Sequence, residues 1–149
     1  MNILMIDDSK DYQYLVKEYI SLLELYEKWN IDTSETLEDS FEKLKRKKYD
    51  VILLDLCLPK TEGLETVNKT FNFLKKSAKK QNQKIPVIIL TNIADFKIGK
   101  ETLEMGAYDF LIKEKVKSKQ LYRAITFATY SNALPNRSFF SRKKRKFKK

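Results

Sequence analysis

The sequence contains no histidine, one cysteine, three glycines, three prolines and one tryptophan in 149 residues. Each shortage removes a class of function. A single cysteine, Cys57, excludes an intrachain disulfide, and with no histidine beside it there is no ligand set for zinc. With Gly63, Gly99 and Gly106 as the only glycines, neither Gly-x-x-x-x-Gly-Lys nor Gly-x-Gly-x-x-Gly can be written, so the common nucleotide loops are absent. Long apolar runs are missing too. Val51 to Leu54 and Val87 to Leu90 are far too short to span a bilayer. The run Ile3-Leu4-Met5-Ile6 ends at once in two aspartates, which leaves no room for a signal peptide. A reducing, cytoplasmic setting is expected.

What is present is enough apolar material, 42% of residues, for one core and one domain. The net charge of +10 suggests a nucleic-acid partner until its distribution is considered. Residues 137–149 carry eight Lys or Arg and no acid, which leaves 22 bases against 20 acids in the rest of the chain. The body is nearly neutral and the excess sits in a tail. The expected division is a folded domain over 1–132 and a basic, unstructured segment over 133–149. The cluster Arg142-Lys-Lys-Arg-Lys-Phe-Lys-Lys149 is either a solubilising end or a contact for nucleic acid or an acidic membrane surface, and the sequence does not choose.

Short apolar runs alternate with longer amphipathic stretches. Strands are expected at Asn2–Ile6, about Asn30–Ser34, Val51–Leu54, Val87–Leu90 and Ala107–Ile112. The first, third and fourth read as continuous apolar runs, as strands buried on both faces do. The second is polar and belongs at an edge. Helical stripes fill the gaps: Leu15, Val16, Tyr19, Ile20 and Leu23; Leu37, Phe41 and Leu44 behind a Thr36/Asp39 cap; Leu64, Val67, Phe71 and Leu74; and Leu121, Ala124, Ile125 and Ala128 with Ser118 as N-cap. The fourth segment, about Asp95–Glu104, has only Ile98 and Leu103 as anchors, so it is expected to be the least firmly held. Five βα units imply an α/β fold, a doubly wound, five-stranded parallel sheet with right-handed crossovers.

In such a sheet, function collects at the carboxyl ends of the strands. The first strand ends in Asp7-Asp8, the third in Asp55, the fourth in Thr91 and the fifth in Lys113. Taken singly, each is an ordinary strand terminus or helix cap. Together they form one rim of three carboxylates, a hydroxyl and an ammonium. An all-oxygen carboxylate site suits Mg²⁺. An ionised Asp can attack phosphorus, while Lys113 and Thr91 neutralise the oxygens of the transferred group.

These motifs resemble the response-regulator receiver domains of two-component signalling. The resemblance runs over residues 2–132 and rests on Ile-Asp7-Asp8-Ser, Asp55-Leu-Cys-Leu-Pro59-Lys-Thr-Glu-Gly63, Leu-Thr91 and Gly106-Ala-Tyr-Asp-Phe110-Leu-Ile-Lys113. It implies a flavodoxin-like sheet of strand order 2-1-3-4-5. It implies Asp55 as the phosphoacceptor, with Thr91 and Lys113 as phosphate-binding groups. Mg²⁺ would be held by Asp8, Asp55 and the Cys57 backbone carbonyl, and by Asp7 through water. Thr91 and Phe110 would form a switch. The implied partners are a sensor histidine kinase or phosphotransfer protein, a downstream target protein, and a second copy of the chain through the face of the fourth helix, fifth strand and fifth helix. The chain would be no enzyme beyond its own phosphorylation and dephosphorylation. Having no histidine, it cannot itself be the kinase or the phosphotransfer protein.

Three positions depart from the pattern. Glu114 follows Lys113 where a proline with a cis bond is usual, so a trans bond and a different loop are expected. Asn92 follows Thr91 where a smaller residue is usual. Cys57 lies beside the acceptor, as a tuning residue or as a small space-filling one. Residues 133–149 are too few for a helix-turn-helix output module, so a stand-alone regulator acting by protein contact is expected. A degenerate receiver used as a phosphorylation-independent interaction module is the alternative. A Mg²⁺-dependent phosphohydrolase is disfavoured, because that class places Asp-x-Asp after its first strand.

Overall fold

The computed structural model describes residues 1–23, 28–81 and 84–134. The basic segment from Arg137 onward lies outside the described residues. In chain order the elements are β1 (Asn2–Ile6), α1 (Lys10–Ser21), β2 (Asn30–Ser34), α2 (Leu37–Arg46), β3 (Val51–Leu54), β4 (Cys57–Leu58), β5 (Thr61–Glu62), α3 (Leu64–Gln81), β6 (Val87–Thr91), α4 (Phe96–Met105), β7 (Asp109–Ile112) and α5 (Ser118–Ala133). The main sheet is parallel, in the order β2-β1-β3-β6-β7. With the two-residue strands β4 and β5 set aside, this is the expected 2-1-3-4-5.

The continuous apolar runs are explained by two cores, one on each face of the sheet. Ile3 and Met5 of β1 and Val51 and Leu53 of β3 point to a core with Val16 and Ile20 of α1 and Leu121, Ile125 and Ala128 of α5. Their neighbours Leu4, Ile6, Ile52 and Leu54 point the other way, toward Leu37 and Leu44 of α2 and Val67 of α3. A strand with a core on both sides has no polar face, so the period-two alternation disappears from its sequence. β2 is exposed or half-buried over four of its five residues and forms an edge, as its polarity requires.

Local signals set most helix ends. Ser9 Oγ accepts the Tyr12 N–H (3.2 Å) and starts α1, and Thr36 Oγ1 accepts the Asp39 N–H (3.1 Å) and starts α2. α4 ends on Gly106, whose φ of 117° suits glycine, with its N–H on the Leu103 carbonyl (3.1 Å).

The structure corrects several expectations. Leu15 is 38% exposed, and Gln13 is buried in its place, because the Gln13 amide donates to the Asp7 carbonyl (2.6 Å). Leu103 is 46% exposed; the buried positions of α4 are Gly99 and Thr102. Ser118 is the first helical residue of α5, not its cap; the Lys117 N–H at that end is taken by the Gln120 side chain (3.0 Å). The antiparallel ribbon of β4 and β5 was not foreseen. Its turn places Pro59 and Lys60 at the central positions, with Lys60 at φ 73°, the arrangement of a type II turn.

Candidate functional site

Backbone ladder bonds carry the sequence-predicted residues to one edge of the sheet. The Asp7 N–H donates to the Ser34 carbonyl, Asp55 N–H to Ile6, and Lys113 N–H to Thr91, each at 2.9 Å. Each residue therefore follows directly from a paired strand, and its side chain emerges where the sheet ends.

Lys113 is at the centre. Its Nζ lies 2.6 Å from Asp7 Oδ2 and 2.9 Å from Asp55 Oδ2, and the side chains of all three are at most 7% exposed. Asp8 is exposed, yet it offers a carboxylate oxygen that lies with those of Asp7 and Asp55 in one group, all within 4.8 Å of one another. The other oxygens are occupied by backbone. The Ser9 N–H donates to Asp7 Oδ1 (2.8 Å), and the Cys57 N–H donates to Asp55 Oδ1 (3.2 Å).

Burial disfavours the charged forms, and the pairing opposes it. For Lys113, burial pulls the ammonium pKa down, but the hydrogen bonds it donates to Asp7 and Asp55 and their negative charges outweigh it, and the net shift is upward. For Asp7, burial is the largest influence and raises the pKa against the opposing pull of Lys113 and the Ser9 N–H. The cluster has two buried carboxylates and one more at its rim against a single buried cation. A divalent cation bound by oxygen ligands would complete that balance. The donor set fits Mg²⁺: all hard oxygens, no thiolate and no imidazole.

The remaining predicted residues occupy the surroundings. Thr91 is fully buried at the end of β6, and its hydroxyl accepts the Ile93 N–H of its own loop (3.3 Å). Phe110 is half-buried between β7 and α4, its ring against Gly99. Cys57 is exposed, which removes the space-filling reading; burial, then the Asp55 carboxylate, raises its thiol pKa, so it is no activated nucleophile. Asn92 and Glu114 are exposed. Every peptide bond among the described residues is trans, the one between Lys113 and Glu114 included. The loop there turns on the Ile112 carbonyl, which accepts the N–H groups of Lys115 (2.9 Å) and Val116 (3.0 Å).

Sequence reasoning missed two residues of the site. Gln13 supports Asp7 through its backbone, and Tyr12 places its ring 4.5 Å from the Lys113 ammonium. The legible signal was Ser9: a residue one turn past a helix cap at a strand end faces back toward that end.

The chain belongs to the response regulator receiver domain family, whose pattern matches residues 3–126. It is a receiver domain of two-component signalling. Response regulator ArlR of Staphylococcus aureus is 31% identical over 111 residues, covering 74% of this chain and 45% of that protein. The chain thus corresponds to about half the length of the curated relatives it matches. The beryllofluoride-activated NtrC4 receiver domain dimer has the same fold, with a TM-score of 0.73 at 23% identity over 89% of this chain and 98% of the other. So does the receiver domain of a sensor histidine kinase from Pseudomonas aeruginosa, with magnesium coordinated in its active-site cleft (TM-score 0.68, 21% identity, 87% and 97% covered). Among the described residues, no helix is long and apolar enough to cross a membrane.

Proposed function

We propose that this receiver accepts a phosphoryl group on Asp55 and that the modification changes its protein contacts. The observation that carries the reading is the Lys113 ammonium, held within 3 Å of both Asp7 and Asp55, with a third carboxylate beside them. Asp8, Asp55 and the Cys57 carbonyl would hold Mg²⁺, with Asp7 acting through water. An ion held there would supply positive charge to the carboxylates and to the phosphoryl oxygens.

The donor would be a phosphohistidine on a sensor kinase or phosphotransfer protein. An Asp55 carboxylate oxygen supplies the electron pair of the new O–P bond as the donor's P–N bond breaks; the imidazole nitrogen keeps that pair and takes a proton from water. Lys113 neutralises the phosphoryl oxygens throughout. The Thr91 hydroxyl then donates a hydrogen bond to a phosphoryl oxygen, which links the rim to the Phe110 ring and to α4. The output is a change in contact at the face of α4, β7 and α5, toward a target protein or a second copy. A stand-alone regulator would signal in this way, in the cytoplasm, and the proposed role of the basic segment is an accessory contact with nucleic acid or an acidic surface.

The test is intact-mass analysis after incubation with acetyl phosphate and Mg²⁺. The wild type should gain one phosphoryl group, and Asp55→Asn should gain none. A wild type that stays unmodified would make this a phosphorylation-independent interaction module.

A further inference from the structure

Two carboxylates are not the whole environment of the Lys113 ammonium. The ring of Tyr12 faces it, with its centroid 4.5 Å from Nζ. Tyr12 lies in the first turn of α1, and its own N–H is the one that Ser9 Oγ accepts. The cap that starts the helix thereby fixes where the ring sits. The ring is half-buried against the core between the sheet and α1 and α5.

The hydroxyl of Tyr12 does not explain its presence. It is buried and has no hydrogen-bond partner among the described residues. A buried hydroxyl left unpaired is a cost to the fold, so the contribution of this side chain must come from its ring. Burial, with the nearby Tyr19, Asp7 and Asp55 adding to it, raises the phenol pKa, so the ring remains neutral and its face remains attractive to a cation.

Phosphorylation alters the partners of Lys113 unequally. Asp55 stops being a free carboxylate, and its ion pair with Lys113 must be exchanged for contacts with the phosphoryl oxygens. Asp7 is shared with the proposed metal site. The ring face takes part in neither exchange. It attracts the ammonium before, during and after the transfer, and it excludes water from that side, where the lysine side chain is 5% exposed.

We propose that Tyr12 is the positioning residue for Lys113, its ring holding the ammonium over the rim while the Asp55 contact is exchanged. This rests on the reading of Asp55 as acceptor. The experiment uses the full chain with acetyl phosphate and Mg²⁺, comparing Tyr12→Phe, which keeps the ring, with Tyr12→Leu, which removes it. Tyr12→Phe should be labelled at the wild-type rate. Tyr12→Leu should be labelled about fivefold more slowly at saturating acetyl phosphate, the size of one partly buried cation–π contact. In a Lys113→Ala background, Tyr12→Leu should cause no further slowing.

Equal slowing in both backgrounds would overturn the proposal, since the ring would then act through the fold alone. So would a Tyr12→Phe variant as slow as Tyr12→Leu. A urea-denaturation cycle on the wild type, Tyr12→Leu, Lys113→Ala and the double variant reads the contact without phosphorylation. Non-additive effects support it and additive effects refute it, even if the wild type accepts no phosphoryl group and the Asp55 reading itself falls.

Discussion

Gly99 lies in a helix, where glycine is disfavoured by about 1 kcal/mol relative to alanine. The compensation is the space it leaves. A methyl group built on its Cα would lie 3.1 Å from Phe110 Cδ1, closer than such contacts normally come. The position of the Phe110 ring is therefore partly decided by an absent side chain on the neighbouring helix. Gly99→Ala should displace the ring toward solvent by a few tenths of an ångström. Stability should change by less than about 1 kcal/mol, because gained helix propensity and lost packing oppose each other. NMR shifts of the Phe110 ring would report the displacement, and unchanged ring resonances would refute the close contact with Gly99. At this scale the sequence was a good guide to the placement of Asp55, Asp7, Asp8 and Lys113 at one rim, since each follows a recognisable apolar run. It was silent on Gly99 and Tyr12, whose roles depend on what another element places against them.

At the scale of elements, α4 is the segment with the least apolar anchorage. Ile98 and Met105 are half-buried against the core, Leu103 is 46% exposed, Phe96 is 89% exposed, and the fully buried positions are Gly99 and Thr102. Its ends carry a correspondingly large share of its definition. The Asp95 side chain accepts the N–H groups of Lys97 (2.8 Å) and Ile98 (3.2 Å), and Gly106 closes the other end. Asp95→Ala should destabilise the helix by about 1 kcal/mol and speed amide exchange in its first turns while β3 and β6 stay protected. Uniform exchange across the domain would instead mean that α4 opens only with the whole fold. The sequence showed the existence of α4 and its weak anchorage. It was right that Ile98 packs against the core but made Leu103 the second apolar anchor, which Met105 supplies, because a helix whose buried positions are glycine and threonine leaves little apolar stripe to read. The β4–β5 ribbon escaped for a similar reason: two-residue strands have no period, and only the Pro59 turn hints at them.

For the whole molecule, the concentration of carboxylates at one rim has a thermodynamic consequence. Asp7 and Asp55 are buried and Asp8 stands beside them, so the native state holds more negative charge there than Lys113 balances. A cation that binds this arrangement and not the unfolded chain adds stability by mass action. Mg²⁺ at ten times its dissociation constant should contribute about 1.4 kcal/mol. The urea midpoint of the wild type should rise with Mg²⁺, and that of Asp8→Asn should rise much less. An equal rise in both would place the ion elsewhere.

The sequence by itself determined the order of the helices and of the five strands of the main sheet, the identity of the buried strands and the residues that end them. Those properties are local, since an apolar run followed by a polar residue is written in adjacent positions. The doubly wound topology followed from chirality and connection length, which any chain of alternating strands and helices obeys. Only the tertiary structure decided which side chains meet. It brought Lys113 between Asp7 and Asp55, set Tyr12 over the ammonium, laid Phe110 on Gly99 and left Cys57 facing solvent. The physical reason is distance: ion pairs, ring contacts and close packing act over a few ångströms, and residues far apart in the chain come within that range only once the sheet has assembled.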